Sequence, residues 1–289
     1  MKNELLRMVE KRQMGIHCGI PSFCSANKFV IETVIEQAHR YDDFVVIEAT
    51  SNQVNQYGGY MGMHSQDFKE YVYQIADKLN FDKRKIILGG DHLGPLPWCD
   101  KPAAEAMEEA KTLVRDCVKA GYLKIHLDTS MRLGDDDVNE RLSDEVIAER
   151  GAELYCEAIK AYKELFEVNP DAIRPVFVIG SEVPIPGGQQ SQTEDTGMQV
   201  TKVEDFKATV EAFKKAFAEE NISDIWEDVI AVVVQPGVEE KDAGCTEYDR
   251  SKAADLIAAI KEYPTLIFEG HSTDYQTKYK LRELVATYF

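Results

Sequence analysis

The chain has 289 residues, 44% of them hydrophobic and 29% charged, with 33 Lys and Arg against 51 Asp and Glu and a formal net charge of −18. That is enough chain and enough apolar side chain for a sizeable core. So acidic a surface argues against non-specific binding to nucleic acid or an anionic membrane, and any phosphate site must be local.

In chain order, residues 1–14 carry charges throughout and do not read as a signal peptide. Strand character then recurs at Gly15–Ile20, Phe44–Thr50, Lys85–Gly90, Lys124–Thr129, Arg174–Gly180, Val229–Gln235 and Thr265–Gly270. Helical spacing fills the gaps. Ala103, Met107, Ala110, Val114 and Cys117 share one face, Glu105, Glu108, Glu109, Lys111 and Arg115 are polar, and Gly121 supplies a stop. Val203–Glu219 repeats the design with Phe206, Val210, Phe213 and Phe217, and a last helix is predicted over 278–288. The longest charge-free apolar run, 229–238, is too short to span a bilayer. Six cysteines without a CxxC pair read as reduced thiols, and the whole as a cytoplasmic protein.

Strands alternating with helices imply parallel strands joined by crossovers. A doubly wound sheet gathers function at one switch point, whereas a barrel gathers it from the ends of most strands. Here Glu48, Asp91, His92, Asp128, Glu182, Gln235, Glu269 and His271 all lie at or just past strand ends, and no GxGxxG follows the first strand. The expectation is an α/β protein of one domain over 1–289, a TIM-barrel-like (β/α)8 fold. Seven βα units are counted where a closed barrel needs eight, so an eighth strand is unaccounted for.

Residues two apart on a strand share a face, which puts Glu48 beside Thr50, and His126 beside Asp128. Converging carboxylates repel unless protonated or bound to a cation. A divalent cation, zinc or a similar ion, resolves this, with His92, Glu182 and His271 as candidate ligands. Glu48, Asp91 and Asp128 are the candidate catalytic carboxylates, Asp91 as general acid or base beside the metal. Asp91 and His92 point apart on a regular strand, but the glycines of "GGDHLGP" allow the backbone to turn. The bland reading is that Asp91 caps a turn and His92 is a hydrogen-bonded core histidine; His126 reads as a satisfied core residue. The amides of the loop from Asn52 to Gln56, Asn52 and Gln53 first, suit sugar hydroxyls, or else form a solvated loop. Gly187 and Gly188 could turn backbone N–H groups to an anion, or make a plain rigid turn.

The segments "VIEATSNQVNQYGGYMGM", "IILGGDHLGPLPW", "KIHLDTSM", "SEVPIPGG" and "FEGHSTDYQT" occur in order along the chain. Together they resemble the Z-subunit family of class II tagatose-1,6-bisphosphate aldolase. The resemblance implies a barrel of class II aldolase type, here without the eighth strand and C-terminal extension, and a place in galactitol or N-acetylgalactosamine catabolism. It implies a catalytic Y-type subunit as partner and a sugar phosphate as ligand; Gln235, which closes the sixth strand, is a candidate substrate-binding residue from its position alone. Some relatives are instead regarded as ketose-phosphate 4-epimerases. No kinase or P-loop signature accompanies these motifs. In true class II aldolases an Asp-His pair serves as proton donor and zinc ligand, which implies those roles for Asp91 and His92. The other histidine ligands do not transfer cleanly, leaving His271 and Glu182. Homo-oligomerisation is left open.

Overall fold

The computed structural model describes residues 2–181, 200–241 and 244–289. In chain order its elements are α1 (Glu4–Gln13), β1 (Ser22–Cys24), α2 (Lys28–Tyr41), β2 (Val45–Thr50), α3 (Ser65–Lys78), β3 (Ile86–Leu93) and α4 (Ala103–Ala120). There follow β4 (Lys124–Leu127), α5 (Asp144–Val168), β5 (Val176–Ile179), α6 (Val203–Glu219), β6 (Val229–Val233), β7 (Glu239–Lys241), β8 (Gly244–Thr246), α7 (Ala254–Ile260), β9 (Ile267–Glu269) and α8 (Lys278–Ala286). Two units divide the chain. One comprises residues 1–3 and 20–177, the other residues 4–19 and 178–289.

In the first unit the strand order is β1-β2-β3-β4-β5, with the first two residues of β5. The pairs β1–β2, β2–β3 and β3–β4 are parallel. Parallel strands joined by helices carry apolar side chains on both faces, and Val45, Val46, Ile47, Ile86, Ile87 and Leu88 are all buried. The helices are set by local signals. Asn27 caps α2 by accepting from the Phe29 N–H at 2.9 Å, Ser143 caps α5, and Gly121, at φ 91°, ends α4. Asn3 closes the lower end of this unit, its amide donating to the carbonyls of Leu123 and Arg174 at 2.9 and 3.1 Å.

The loop from β4 to α5 is held by one ion pair. Arg150 donates to both Asp136 oxygens at 2.9 and 2.7 Å, and Asp136 also accepts from the Leu133 N–H. The Arg150 hydrogen bonds, against partial burial, hold the Asp136 carboxyl below its usual range. Stabilisation from a depressed carboxylate is complete above its unfolded value, near 3.9, and is lost as pH falls through the lower folded value. Asp136→Asn is therefore expected to cost about 3 kcal/mol at pH 7 and markedly less at pH 3. Denaturant titrations of both proteins at the two pH values check this; a pH-independent difference would refute the ion-pair assignment.

In the second unit the strand order is β5-β6-β9, with the last two residues of β5, and β6 and β9 are parallel. Arg12 of α1 is buried against the chain's end, donating to the Val285 carbonyl at 2.9 Å and lying 4.8 Å from the centre of the Tyr288 ring. Burial lowers its guanidinium from the ordinary value. The Phe268 N–H of β9 donates to the Tyr288 carbonyl at 2.8 Å. Below it, Tyr248 and Thr287 share a buried hydroxyl–hydroxyl bond of 2.7 Å, and Gln276 accepts from the Tyr248 N–H. Val238, Ala253, Ile257 and Leu284 pack around that network.

Two elements differ from expectation. Residues 15–20 are not a strand: the chain leaves α1 through Gly15 at φ 80°, and Ile16 stays 51% exposed. The first strand is instead Ser22–Cys24, three residues long. An antiparallel hairpin, β7–β8, also interrupts the expected β6-to-α7 connection. No helix of the described residues is long and apolar enough to cross a membrane.

Candidate functional site

The site grows from one register. Glu48 of β2 pairs with Gly89 of β3, and Gly89 with Lys124 of β4, so these residues stand at one level of neighbouring strands. A Cβ at position 89 would run into Glu48 Oε1. Its absence lets the Glu48 side chain pass across β3 and meet Lys124 Nζ at 2.9 and 3.0 Å. Both are nearly sealed, at 2% and 4% exposure. Cys24 of β1 pairs with Glu48 at the same level. Its thiol also hydrogen-bonds Asp91; burial of the sulfur, then the Asp91 and Glu48 carboxylates, push the thiol up, although the residue as a whole is exposed.

One step along the strands, Thr50 pairs with Asp91. On a regular strand His92 would turn to the opposite face. The β3–β4 register shifts between Gly90 and Leu93, and His92 takes φ 50°. This bulge brings Asp91 Oδ1 to 3.1 Å from His92 Nδ1 and 2.9 Å from His126 Nδ1. The left-handed turn thus falls on His92 itself, at a cost of about 1–2 kcal/mol. The neighbouring glycines serve close approach: a Cβ at Gly94 would strike the Asp128 carbonyl, and one at Gly90 the Leu93 side chain. Ser51 Oγ donates to the His92 carbonyl at 3.1 Å, and the Asp128 N–H to the Leu93 carbonyl at 3.0 Å, pinning the bulge from both sides.

Burial opposes the charge on Asp91, but hydrogen bonds from His126 and His92 outweigh it and hold the carboxyl well below the usual range. Ligand-capable atoms of Asp91, His92 and His126 lie within 4.8 Å of one another. An imidazole held in place by a carboxylate suits a divalent ion such as zinc. With its Nδ1 turned to Asp91, His92 offers Nε2 to a metal, the usual carboxylate–histidine–metal arrangement. These residues therefore fit a metal.

The other expected residues are placed as follows. Asp128 Oδ1 accepts from the backbone N–H and hydroxyl of Ser130 at 3.0 and 2.7 Å. Asn52 is exposed, while Gln53 Oε1 accepts from the Thr50 N–H at 2.9 Å and Asn55 serves the backbone of its own loop. Gln235, 2% exposed, accepts through Oε1 from the N–H groups of Gly237 and Val238 at 2.8 and 2.9 Å, closing a turn. His271, in the second unit, is 3.2 Å from Glu269. Glu182, Gly187 and Gly188 lie outside the described residues. Lys124 was not foreseen as a neighbour of the site, and Cys24, a possible metal ligand by type, reads from sequence as a packing residue. The alternation Lys124, His126, Asp128 on one face carried the signal for the first of these.

Comparison with known families matches residues 5–289 to the family described as D-tagatose-1,6-bisphosphate aldolase subunit GatZ/KbaZ-like. The chain belongs to this family. Among solved structures, the GatZ/KbaZ-like chain is 42% identical to a protein of Sinorhizobium meliloti described as a probable tagatose 6-phosphate kinase, with a TM-score of 0.82. The match covers 94% of this chain and 63% of that one, so the chain spans under two thirds of its relative's length. It is also similar to a fructose-bisphosphate aldolase of Campylobacter jejuni, at 16% identity and TM-score 0.51, over 100% of this chain and 74% of that one. The YdjI aldolase of Escherichia coli gives 13% identity and TM-score 0.50, over 98% of this chain and 78% of that one. The last two likenesses bear on the fold alone, which is α/β and TIM-barrel-like.

Proposed function

We propose that this chain is an accessory, Z-type subunit of a class II tagatose-1,6-bisphosphate aldolase, supporting the activity and stability of a catalytic Y-type subunit in the cytoplasm, in galactitol or N-acetylgalactosamine catabolism. Family membership supports the pairing. The observation that carries the accessory role is the commitment of the acids: Glu48 is spent on Lys124, and one oxygen of Asp128 on Ser130. Asp91, clamped by two imidazoles and held ionised, is a weak base and an effective orienting group. Co-expression with a Y-type subunit tests the proposal. The two should co-purify, and the partner's aldolase activity should be higher and longer-lived with this chain than without it. Unchanged activity and lifetime would dismiss it.

A second reading, a metal-dependent ketose-phosphate 4-epimerase, is favoured by the cluster of Asp91, His92 and His126. On this reading His92 would hold a divalent cation, whose chemistry would be to polarise the ketose carbonyl. Asp91 keeps the proton on His92 Nδ1, so that Nε2 is the ligand nitrogen. The Asp128 carboxylate exchanges the hydroxyl proton through its Oδ2. Asn52 and the glycines at 187 and 188 are the candidates for sugar and phosphate contact. Incubation of metal-loaded protein with tagatose 6-phosphate tests it; absence of fructose 6-phosphate rejects it.

A further inference from the structure

His126 lies in the middle of β4, with 0% exposure. Its ring faces the site: Nδ1 is 2.9 Å from Asp91 Oδ1 and 3.2 Å from the His92 backbone nitrogen, and the two imidazoles meet edge to face with centroids 4.7 Å apart. A carboxylate only accepts and an amide N–H only donates, so one ring nitrogen cannot satisfy both at once. The contact to the carboxylate is the shorter of the two, so the Nδ1 proton of His126 is directed at Asp91 and the His92 N–H is left as the longer contact. The same Asp91 oxygen takes His92 Nδ1 at 3.1 Å. Anchoring therefore runs in one direction. The sealed ring on β4 fixes the carboxylate, and the carboxylate fixes the ring of His92, which is 28% exposed.

From this geometry we infer that His126 is a positioning residue: by donating to Asp91 it holds the carboxylate that orients His92, and with it the left-handed bulge that brings both side chains to one site. Its Nδ1 is occupied by Asp91, so this nitrogen acts on the site through another residue. The consequence for metal affinity rests on the reading of His92 as a metal ligand; the consequence for geometry does not.

Two variants separate positioning from packing. His126→Asn keeps a donor where Nδ1–H stands, and His126→Leu fills the volume without one. Crystal structures of the full chain read the geometry. His126→Asn should keep the Asp91–His92 contact and the positive φ of His92, and His126→Leu should lose the contact. Titration with Co2+ reads the metal. His126→Asn should bind within about threefold of the unmodified chain with the same visible bands, and His126→Leu about 10–100-fold more weakly. Retained geometry and affinity in His126→Leu would overturn the inference, as would an Asn variant as impaired as the Leu one. Altered Co2+ bands in His126→Asn would overturn it too, by making His126 a direct ligand. If His126→Leu does not fold, His126→Asn against the unmodified chain still decides. If the unmodified chain takes no Co2+, the metal reading fails while the crystal structures still judge the positioning role.

Discussion

Lys124→Met is expected to destabilise the protein by about 3–5 kcal/mol, because it strands the Glu48 carboxylate, 2% exposed, without its counter-charge. In a domain of this size that corresponds to a fall in melting temperature of roughly 10 °C. The pair itself contributes much less than this. Two buried charges lose hydration that their attraction only partly returns, so removing both partners should recover most of the loss. Glu48→Leu combined with Lys124→Met should therefore be more stable than Lys124→Met alone. Thermal and denaturant unfolding of the two single variants and the double variant measure the coupling. A Lys124→Met protein within 1 kcal/mol of its parent would mean that water reaches Glu48 and that the ion pair is not sealed.

His92→Ala is expected to weaken binding of a divalent cation at least about 100-fold, since it removes the ring that the bulge presents, whereas Asp91→Asn should cost about 10–100-fold by loosening that ring's orientation. Competition with a chromophoric chelator gives both affinities. The ranking discriminates as well as the magnitude. If Asp91→Asn is the more damaging of the two, the carboxylate is the direct ligand and the assignment of roles within the pair is inverted. Equal affinity in His92→Ala and the parent would remove the cation from the site altogether.

Local signals carried most of the fold. The run at Val229 reads as a buried strand in any context, and the bounds of α6, Val203–Glu219, follow directly from Phe206, Val210, Phe213 and Phe217. The signal failed where letters were few. The apolar letters at 15–20 resemble a strand but remain exposed after α1, while the real β1 has three residues and is recognised only by pairing with Val46, Ile47 and Glu48. The β7–β8 hairpin is built from Glu239–Lys241 and Gly244–Thr246, a stretch whose charge masks strand character. At the site, the Asp91–His92 pair and its need for a backbone turn are visible in the sequence. That the turn falls on the histidine rather than on a glycine is not, because the register of β3 against β4 decides it. Long-range partners are equally hidden: Glu48 and Lys124 are 76 positions apart, and only the missing Cβ of Gly89 makes their meeting possible.

The left-handed backbone at His92 also divides what substitution can do there. Glycine would relax the main chain and discard the imidazole, so a gain in stability there would come with the loss of that ring. A β-branched replacement loses on both counts, and asparagine is the side chain that best tolerates the conformation while keeping polar atoms. Persistence of a strained histidine through random mutagenesis under selection for solubility alone would be improbable. Under selection for the native role it should be among the last positions to drift.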